Sequence, residues 1–539
     1  MTAATTQNPM GFLDQRSPVF TRDCVASSSS PLVTQVGLSV LRDGGNAFDA
    51  AVAMAGLMAV VEPMFNGLGG DTMILAWSEA EQRVYGLNGS GPAPSGASLE
   101  RMGTAPFIPD HGAQAVTLPG AISGWTALLD RFGSRSLERL WQPAIRYARE
   151  GYPVGESIAG CWQGGGPMMQ GSASADFLAT LYPGGRAPKP GELRSFPQLA
   201  DTLERVAIEG RDGFYTGAVA EAITQTLSDL GVPTRCDELA AVQPQWVEPL
   251  SVPYRGYEVL GLPPNSQGVV ALQALGIVDG FNLAAMDPAE RLHHEIEALR
   301  IAFAFAIDHV GEPTEAMLNQ VRQALMPEGL AEARNRINPK ALPLGRAVGG
   351  CSGDTTYLCT VDSDGNMVSL MTSIYGLFGS ALMAGDTGVI LNNRASAFCT
   401  QAGHPNAVAP GRRPRHSILP GLVLRHGQPE FLLGCVGGNN HPQGQLQSLV
   451  NVLDLGMNPQ QALDAPRFRV LMTNDVVLLE DAFPESVRQD LEARGHQLGQ
   501  DFAWTGAAQM VRVHRGENGI GPCLESGVDH RLDGVALGW

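Results

Sequence analysis

Two threonines, Thr355 and Thr356, follow a Gly-Gly-Cys-Ser-Gly run at 349–353 and an aspartate, Asp354, and they lead into an apolar stretch that turns at Asp364-Gly365. Inside a chain a threonine hydroxyl is a poor nucleophile. At the start of a chain it has a base beside it, because a free α-amino group of unperturbed pKa about 7.7–8 can take the hydroxyl proton. That chemistry requires the Asp354–Thr355 bond to be broken, and attack of the Thr355 hydroxyl on the Asp354 carbonyl breaks it. The small residues at 349–353 permit the backbone distortion such an attack needs. Taken alone, the pair also reads simply as a strand start, since β-branched residues suit strands and Asp-Gly is a hairpin turn. The choice between these readings rests on the rest of the chain.

The elements that must position this hairpin are legible as patterns. Alternation predicts strands over 356–361 and 367–372, with further strands at 73–77, 84–87, 422–424, 431–434, 476–479 and 510–515. Helical spacing marks 32–41, 47–61, 137–149 and 292–306, with Asp43-Gly44-Gly45-Asn46 as break and cap. The first 354 residues are mainly helical, and the remainder is richer in strands. Periodicity by itself specifies a large mixed α and β protein.

Thr355-Thr356-Tyr357 followed by Val361-Asp362-Ser363-Asp364-Gly365-Asn366 resembles the start of the small subunit of γ-glutamyltransferases. These are N-terminal-nucleophile hydrolases made as one chain that cuts itself in two. The likeness continues in order through Gly388-Val389-Ile390-Leu391-Asn392-Asn393, Gly411-Arg412-Arg413-Pro414, Gly437-Gly438 and the segment from Gly527 to Gly534. Upstream, the segment from Leu41 to Ala51, Gly67-Leu68-Gly69-Gly70-Asp71 and Pro119-Gly120 with Gly124-Trp125 match as well. The resemblance implies an α+β fold, a four-layer αββα sandwich, in which cleavage at Asp354–Thr355 yields a large subunit (1–354) and a small one (355–539). It further implies Thr355 as nucleophile and base, Ser373 as the hydroxyl that holds it, where threonine is usual, and backbone N–H groups of Gly437 and Gly438 as oxyanion donors.

The resemblance also marks a departure. Ser90 stands where those transferases carry an arginine that clamps the α-carboxylate of a γ-glutamyl group. Arg394 and Ala397 replace the glutamine and aspartate that hold its amine. Tyr375 replaces an asparagine, and His416 and Ser417 replace a serine pair. An arginine repels an ammonium group, so the pocket's electrostatics are inverted. The pattern is similar to a sister branch of acylases and amidohydrolases, although Arg415 falls where an aromatic residue is usual even there. These positions point to an amide hydrolase whose acyl group bears a carboxylate, bound by Arg394, such as an oxamate-, oxalyl- or glutaryl-like compound. Two other readings remain: a γ-glutamyltransferase or glutathione hydrolase with a rebuilt pocket, and an uncut, catalytically silent binding homologue.

Composition excludes several other classes. The formal charge of −18 argues against nucleic-acid and anionic-membrane partners. Only two lysines exist, Lys189 and Lys340, and no Gly-x-x-x-x-Gly-Lys-Ser/Thr loop does. The segment at 67–70 lacks dinucleotide-loop spacing and follows a helix. His293-His294-Glu295 lacks the second histidine of a zincin, because position 298 is alanine. Asp362-Ser363-Asp364-Gly365 lacks the twelfth-position glutamate of a calcium loop, because position 373 is serine. No cofactor or metal is therefore expected. The eight scattered cysteines read as reduced core thiols. The polar first residues and the shortness of the apolar run at 50–61 give the expectation of a cytoplasmic protein. The expected partners are a small amide substrate and the two fragments themselves, held as one heterodimeric unit.

Overall fold

A computed structural model describes residues 16–103, 105–169, 171–342, 354–499, 505–516 and 519–539. The glycine-rich run at 349–353, including Cys351, lies outside the described residues.

Two seven-stranded antiparallel sheets form the centre. The first has the strand order Val535–Gly538, Val25–Ser28, Asp354–Val361, Met367–Tyr375, Asp71–Ser78, Arg83–Gly89, Gln245–Val247. The second runs Val19–Thr21, Cys523–Val528, Ala508–His514, Gln428–Cys435, Gly421–Arg425, Tyr257–Gly261, Leu250–Tyr254. The alternation of each strand decides which neighbours it meets. Tyr357, Cys359, Val361, Met371, Met73 and Leu75 share one apolar cluster with Leu422, Leu432 and Val511 of the other sheet. Leu358, Leu370, Ile374 and Ile74 belong instead to a cluster with helix Ala47–Val61. Val423, Phe431, Leu433 and Met510, on the second sheet's outer face, pack with helices Gly268–Val278 and Pro288–His309. Side chains at 355, 357, 359 and 361 thus point between the sheets, and those at 356, 358 and 360 point toward helices.

Helix Ala47–Val61 shows how local sequence and tertiary contacts combine. The Asn46 side chain accepts the Asp49 N–H, and the Asp49 carboxylate accepts the Asn46 N–H, a reciprocal cap that starts the helix at the predicted break. All fifteen residues of the helix are buried, so it serves as a core element without a solvent face. Its first turn is tied to the hairpin: the Ala47 N–H donates to Asp362 (2.9 Å), and the Thr360 hydroxyl donates to the Ala47 carbonyl (2.8 Å). The same aspartate accepts the backbone N–H groups of Asp364 and Asn366, so Asp362 shapes the turn, in keeping with a hairpin and not a calcium loop.

Each sheet contains strands from both sides of the Asp354–Thr355 bond, paired directly with one another. Asp354–Val361 lies between Val25–Ser28 and Met367–Tyr375, and Gly421–Arg425 lies between Tyr257–Gly261 and Gln428–Cys435. The expectation of a mixed α and β protein is met, and every predicted strand and helix is present, most with longer bounds; the strand expected at 476–479 is shorter, Val477–Leu479, and that expected at 510–515 is Ala508–His514. The cysteines need one correction. Cys24, Cys359 and Cys435 are buried thiols, but Cys236 is exposed and Cys161, Cys399 and Cys523 are partly so. No helix among the described residues is long and apolar enough to cross a membrane.

Candidate active site

Thr355 sits at a break in the ladder. Asp354 pairs with Tyr375 and Thr356 with Thr372, so the single residue Thr355 opposes two, Ser373 and Ile374. Such an irregularity re-aims the side chains beside it. Here the return strand peels away. The Ile374 N–H donates to the Phe65 carbonyl, and the Ile374 carbonyl accepts the Asn393 N–H. Tyr375 adopts φ +82°, a left-handed conformation costing ~1–3 kcal/mol for a non-glycine residue, of the kind that clusters at functional sites. Its N–H is held by the Ser373 hydroxyl oxygen at 2.7 Å.

The Thr355 side chain is buried, and its Oγ1 has no hydrogen-bond partner among the described residues. A buried unsatisfied hydroxyl costs ~1–3 kcal/mol, and such groups in native proteins call for an explanation. Two more unsatisfied atoms, Asn440 Oδ1 and His441 Nε2, lie just beyond the Gly437-Gly438 turn.

Ser373 pairs with Asp71 on the neighbouring strand, and both are fully buried. Alternation puts Asp71 on the same inward face as Met73, Leu75 and Trp77. The approach depends on Gly70, where an added Cβ would lie 2.4 Å from the Ser373 carbonyl oxygen. This close packing gives the Gly67-Leu68-Gly69-Gly70-Asp71 motif its physical meaning. The Asp71 carboxylate accepts the Gly91 N–H (2.9 Å) on Oδ1, while Oδ2 lies 3.1 Å from His416 Nε2 and 3.5 Å from Arg394 Nε.

Arg394 is fully buried. Its Nη1 donates to Ser417 Oγ at 3.0 Å, and its guanidinium lies 4.1 Å from the centre of the Tyr375 ring. His416 Nδ1 accepts the Ile418 N–H, so the ring proton is on Nε2 and faces Asp71. Burial first, and then the nearby Arg394, lowers the His416 pKa to about 4. The ring is neutral at pH 7. His441 Nδ1 donates to the Ser417 carbonyl (2.8 Å), which leaves Nε2 a bare acceptor, and burial lowers its pKa to about 3.

Ser90 is buried and turned inward. Its hydroxyl donates to Asn88 Oδ1 at 2.6 Å, and Asn88 Nδ2 donates to Asn265 Oδ1 at 2.8 Å. Asn265 in turn organises the segment carrying His416: its Nδ2 donates to the Pro414 carbonyl, and its carbonyl accepts the His416 N–H.

Gly437 and Gly438 leave strand Gln428–Cys435 with φ +114° and +64°, conformations that suit glycine. Their N–H groups make no backbone hydrogen bond among the described residues. The turn enters helix His441–Leu453. The strand carrying it packs against the strand of Thr355, for an added Cβ at Gly434 would strike the Tyr357 ring at 2.3 Å.

Ser373, Arg394, His416 and Ser417, singled out from sequence, are joined into one connected set by residues that were not. His441 touches Ser417, Ser417 touches Arg394, Arg394 and His416 touch Asp71, and Asp71 pairs with Ser373 across from Thr355. Sequence reasoning missed Asp71 as a site residue, along with Asn265 and His441. Asp71 carried a signal, as the only charged residue in its glycine motif. His441 carried none beyond following the glycine pair.

The cluster His293, Glu297 and His496 has ligand atoms close enough for a metal. Arg300 Nη1 donates to both Glu297 (2.7 Å) and His496 Nδ1 (2.9 Å), and His293 bonds His496 and the Asn338 carbonyl. A cation already occupies the centre, which fits a buried hydrogen-bond network.

A family model for gamma-glutamyltranspeptidase matches residues 33–539. The glutathione hydrolase-like YwrD proenzyme of Bacillus subtilis is 34% identical, over 97% of this chain and 99% of its own. The oxamate amidohydrolase proenzyme of Klebsiella pneumoniae is 33% identical, over 94% and 97%. Among solved structures, a cephalosporin acylase from Bacillus halodurans superposes with TM-score 0.91 at 36% identity, over 100% of this chain and 99% of that one.

Proposed function

The chain belongs to the gamma-glutamyltranspeptidase family of N-terminal-nucleophile hydrolases, and from that premise we propose a self-processing amide hydrolase acting from Thr355 on a small amide whose acyl group bears a carboxylate. The observation that carries this reading is the Thr355 hydroxyl, buried and without a partner among the described residues, at a ladder break opposite Ser373. The two sheets with helices packed on their outer faces support the reading of an αββα sandwich. Cleavage at Asp354–Thr355 gives fragments 1–354 and 355–539, which stay together as a heterodimeric unit because strands of both fragments pair with one another in each sheet.

Processing and turnover use the same atoms. Thr355 Oγ1 attacks the Asp354 carbonyl, the acyl group shifts from nitrogen to oxygen and so frees the Thr355 amine, and water then hydrolyses the ester to release the Asp354 carboxylate and restore the Thr355 hydroxyl. That amine then takes the hydroxyl proton as Oγ1 attacks the substrate amide. The N–H groups of Gly437 and Gly438 receive the oxyanion, each donor of this type being worth ~3 kcal/mol. The amine gives its proton to the departing amine, and then activates the water that releases the carboxylic acid. Ser373 keeps the end of the hairpin in place through the Tyr375 N–H.

The charge of the pocket supports an anionic acyl group. Arg394 and Arg415 lie on this wall with one carboxylate, Asp71, while His416 and His441 are neutral, so the wall is cationic. Asp71 already holds Gly91, His416 and Arg394 and is committed away from an incoming ammonium. Oxamate- and glutaryl-type amides fit such a wall, and the relative named oxamate amidohydrolase agrees with it. The relative named glutathione hydrolase-like keeps γ-glutamyl hydrolysis as the second reading.

A denaturing gel with N-terminal sequencing tests the first step: two bands, near two-thirds and one-third of the mass, with the smaller beginning at Thr355. A panel of p-nitroanilides tests the second. Turnover of glutaryl- over γ-glutamyl-p-nitroanilide is expected, and strong γ-glutamyl turnover overturns the charge argument. A single intact band would support a silent binding homologue instead.

A further inference from the structure

We infer that a buried ion network, Asp529 and Arg531 with Arg467 and Glu480, positions the Gly437-Gly438 turn by clamping the segment 505–508 behind it. The four charged side chains are positioning residues that act through that segment. The inference rests on the amide-hydrolase reading above, in which the turn receives the oxyanion. It also gives a task to the motif at 527–534, whose side chains no step of that reaction uses.

The network is charge-balanced. Arg467 Nη1 lies 2.7 Å from Asp529 Oδ2, Arg531 Nη1 lies 3.0 Å from Asp529 Oδ1, and Arg531 Nε donates to Glu480 Oε1 at 2.7 Å. Arg467 and Asp529 are each only 1% exposed. Two cations face two anions, the arrangement in which buried charges persist, since each supplies the partner that lost water would have been. Such a group of ion pairs is rigid, because moving any one member leaves another uncompensated.

The network grips one side of the segment 505–508. The Thr505 hydroxyl donates to Glu480, and the Gly506 carbonyl accepts Arg467 Nη1 at 3.3 Å. The Asp529 carboxylate accepts the Ala508 N–H, and the Asp529 N–H donates to the Ala508 carbonyl, both at 3.0 Å. The other side of the segment grips the turn at both ends. The Ala507 carbonyl accepts the N–H of Val436, the residue before Gly437, at 2.8 Å. The Thr505 carbonyl accepts Asn440 Nδ2, two residues after Gly438, and the Asn440 N–H closes the turn on the Gly437 carbonyl at 3.1 Å. Gly506 has φ +78°, and a Cβ there would lie 1.9 Å from the Val436 carbonyl oxygen, so only glycine permits this approach. Two adjacent glycines have little stiffness of their own, so the direction of their N–H groups is set by what holds their ends. Oxyanion donors work by being aimed before charge develops, and a misplacement of ~1 Å costs ~100-fold.

The test compares wild-type protein with Asp529→Asn, Thr505→Val, Gly437→Ala and the two double variants that include Gly437→Ala. Turnover of glutaryl- and γ-glutamyl-p-nitroanilide is measured, and hydrogen exchange at 436–440 is followed by mass spectrometry. Thr505→Val removes no charge and serves where Asp529→Asn fails to fold. Each network variant is expected to lower kcat by ~10-fold or more with KM within ~3-fold of wild type, and to speed exchange at 436–440. In the Gly437→Ala background the same changes are expected to cost less than ~2-fold, because they act through a donor already displaced. Glu297→Gln, whose partners are Arg300 and the Leu342 N–H, is the control for lost stability and is expected to leave kcat and exchange at 436–440 unchanged. Full losses repeated in the Gly437→Ala background overturn the positioning, as do unchanged kcat and exchange in Thr505→Val. A wild-type protein that turns over neither substrate removes the hydrolase reading, and faster exchange at 436–440 in its Thr505→Val variant would still sustain the positioning of the turn.

Discussion

Asp71 Oδ2 lies 3.1 Å from His416 Nε2 with both side chains fully buried, 345 positions apart in the chain. Since His416 Nδ1 is an acceptor, its proton is on Nε2, and the pair is a neutral imidazole donating to a carboxylate whose charge faces Arg394. The carboxylate compensates the arginine, and the histidine stays neutral through burial.

The pairing predicts that Asp71→Asn is severe although isosteric. It leaves Arg394 buried with its nearest negative charge removed, a change of the type that costs ~3–5 kcal/mol. Chemical denaturation of Asp71→Asn, Arg394→Gln and the double variant measures this. The double variant is expected to lose at least ~1 kcal/mol less than the two single losses combined. Simple additivity would show that the two side chains do not interact.

Thr355→Ala removes the attacking hydroxyl and is expected to run as one uncut band without activity. Thr355→Ser keeps the oxygen and is expected to process slowly and retain partial turnover. Rapid, complete cleavage of Thr355→Ala would move the nucleophile to another residue. At Ser373, Thr restores the hydroxyl and is expected to be tolerated, whereas Ala removes the acceptor of the Tyr375 N–H and is expected to slow kcat by ~10-fold or more.

Gly437 has φ +114° and Gly438 +64°, so a side chain at either strains the turn whose N–H groups are proposed to receive the oxyanion. Gly437→Ala is expected to lower kcat by ~10²–10³-fold with a much smaller change in KM, as for loss of an oxyanion donor. A change confined to KM would make the turn a substrate-binding loop instead.

Stability is expected to peak near pH ~6. Burial holds His416 at about 4, and His441 and His496 at about 3, against an ordinary 6.5. The unfolded chain therefore binds protons that the folded chain refuses, and stability falls as pH drops below 6.5 toward 4. Burial raises Glu62 to about 7 and Glu295 to about 8 from 4.5. The folded chain keeps protons that the unfolded chain releases, so stability falls as pH rises through 4.5 to 8. Thermal melts from pH 4.5 to 8.5 give the curve, and Glu62→Gln is expected to flatten its alkaline limb. A limb of unchanged slope would mean that Glu62 is ionised in the folded protein.

Much of this molecule is written locally. The hairpin from Thr355 to Ser373 follows from β-branched alternation around Asp364-Gly365, and the helix at Ala47–Val61 from the Asn46 cap and an unbroken apolar run. Those signals are readable because each depends on neighbours a few positions away. The proposed nucleophile, the glycine turn and the departure at Ser90, Arg394 and His416 are likewise visible as residue types at marked positions. What an arginine or histidine does there is a different matter. Arg394 faces a carboxylate from a distant strand, and His416 is kept uncharged by burial. Charge compensation and desolvation depend on which strands the fold lays side by side, and only the tertiary structure decides that.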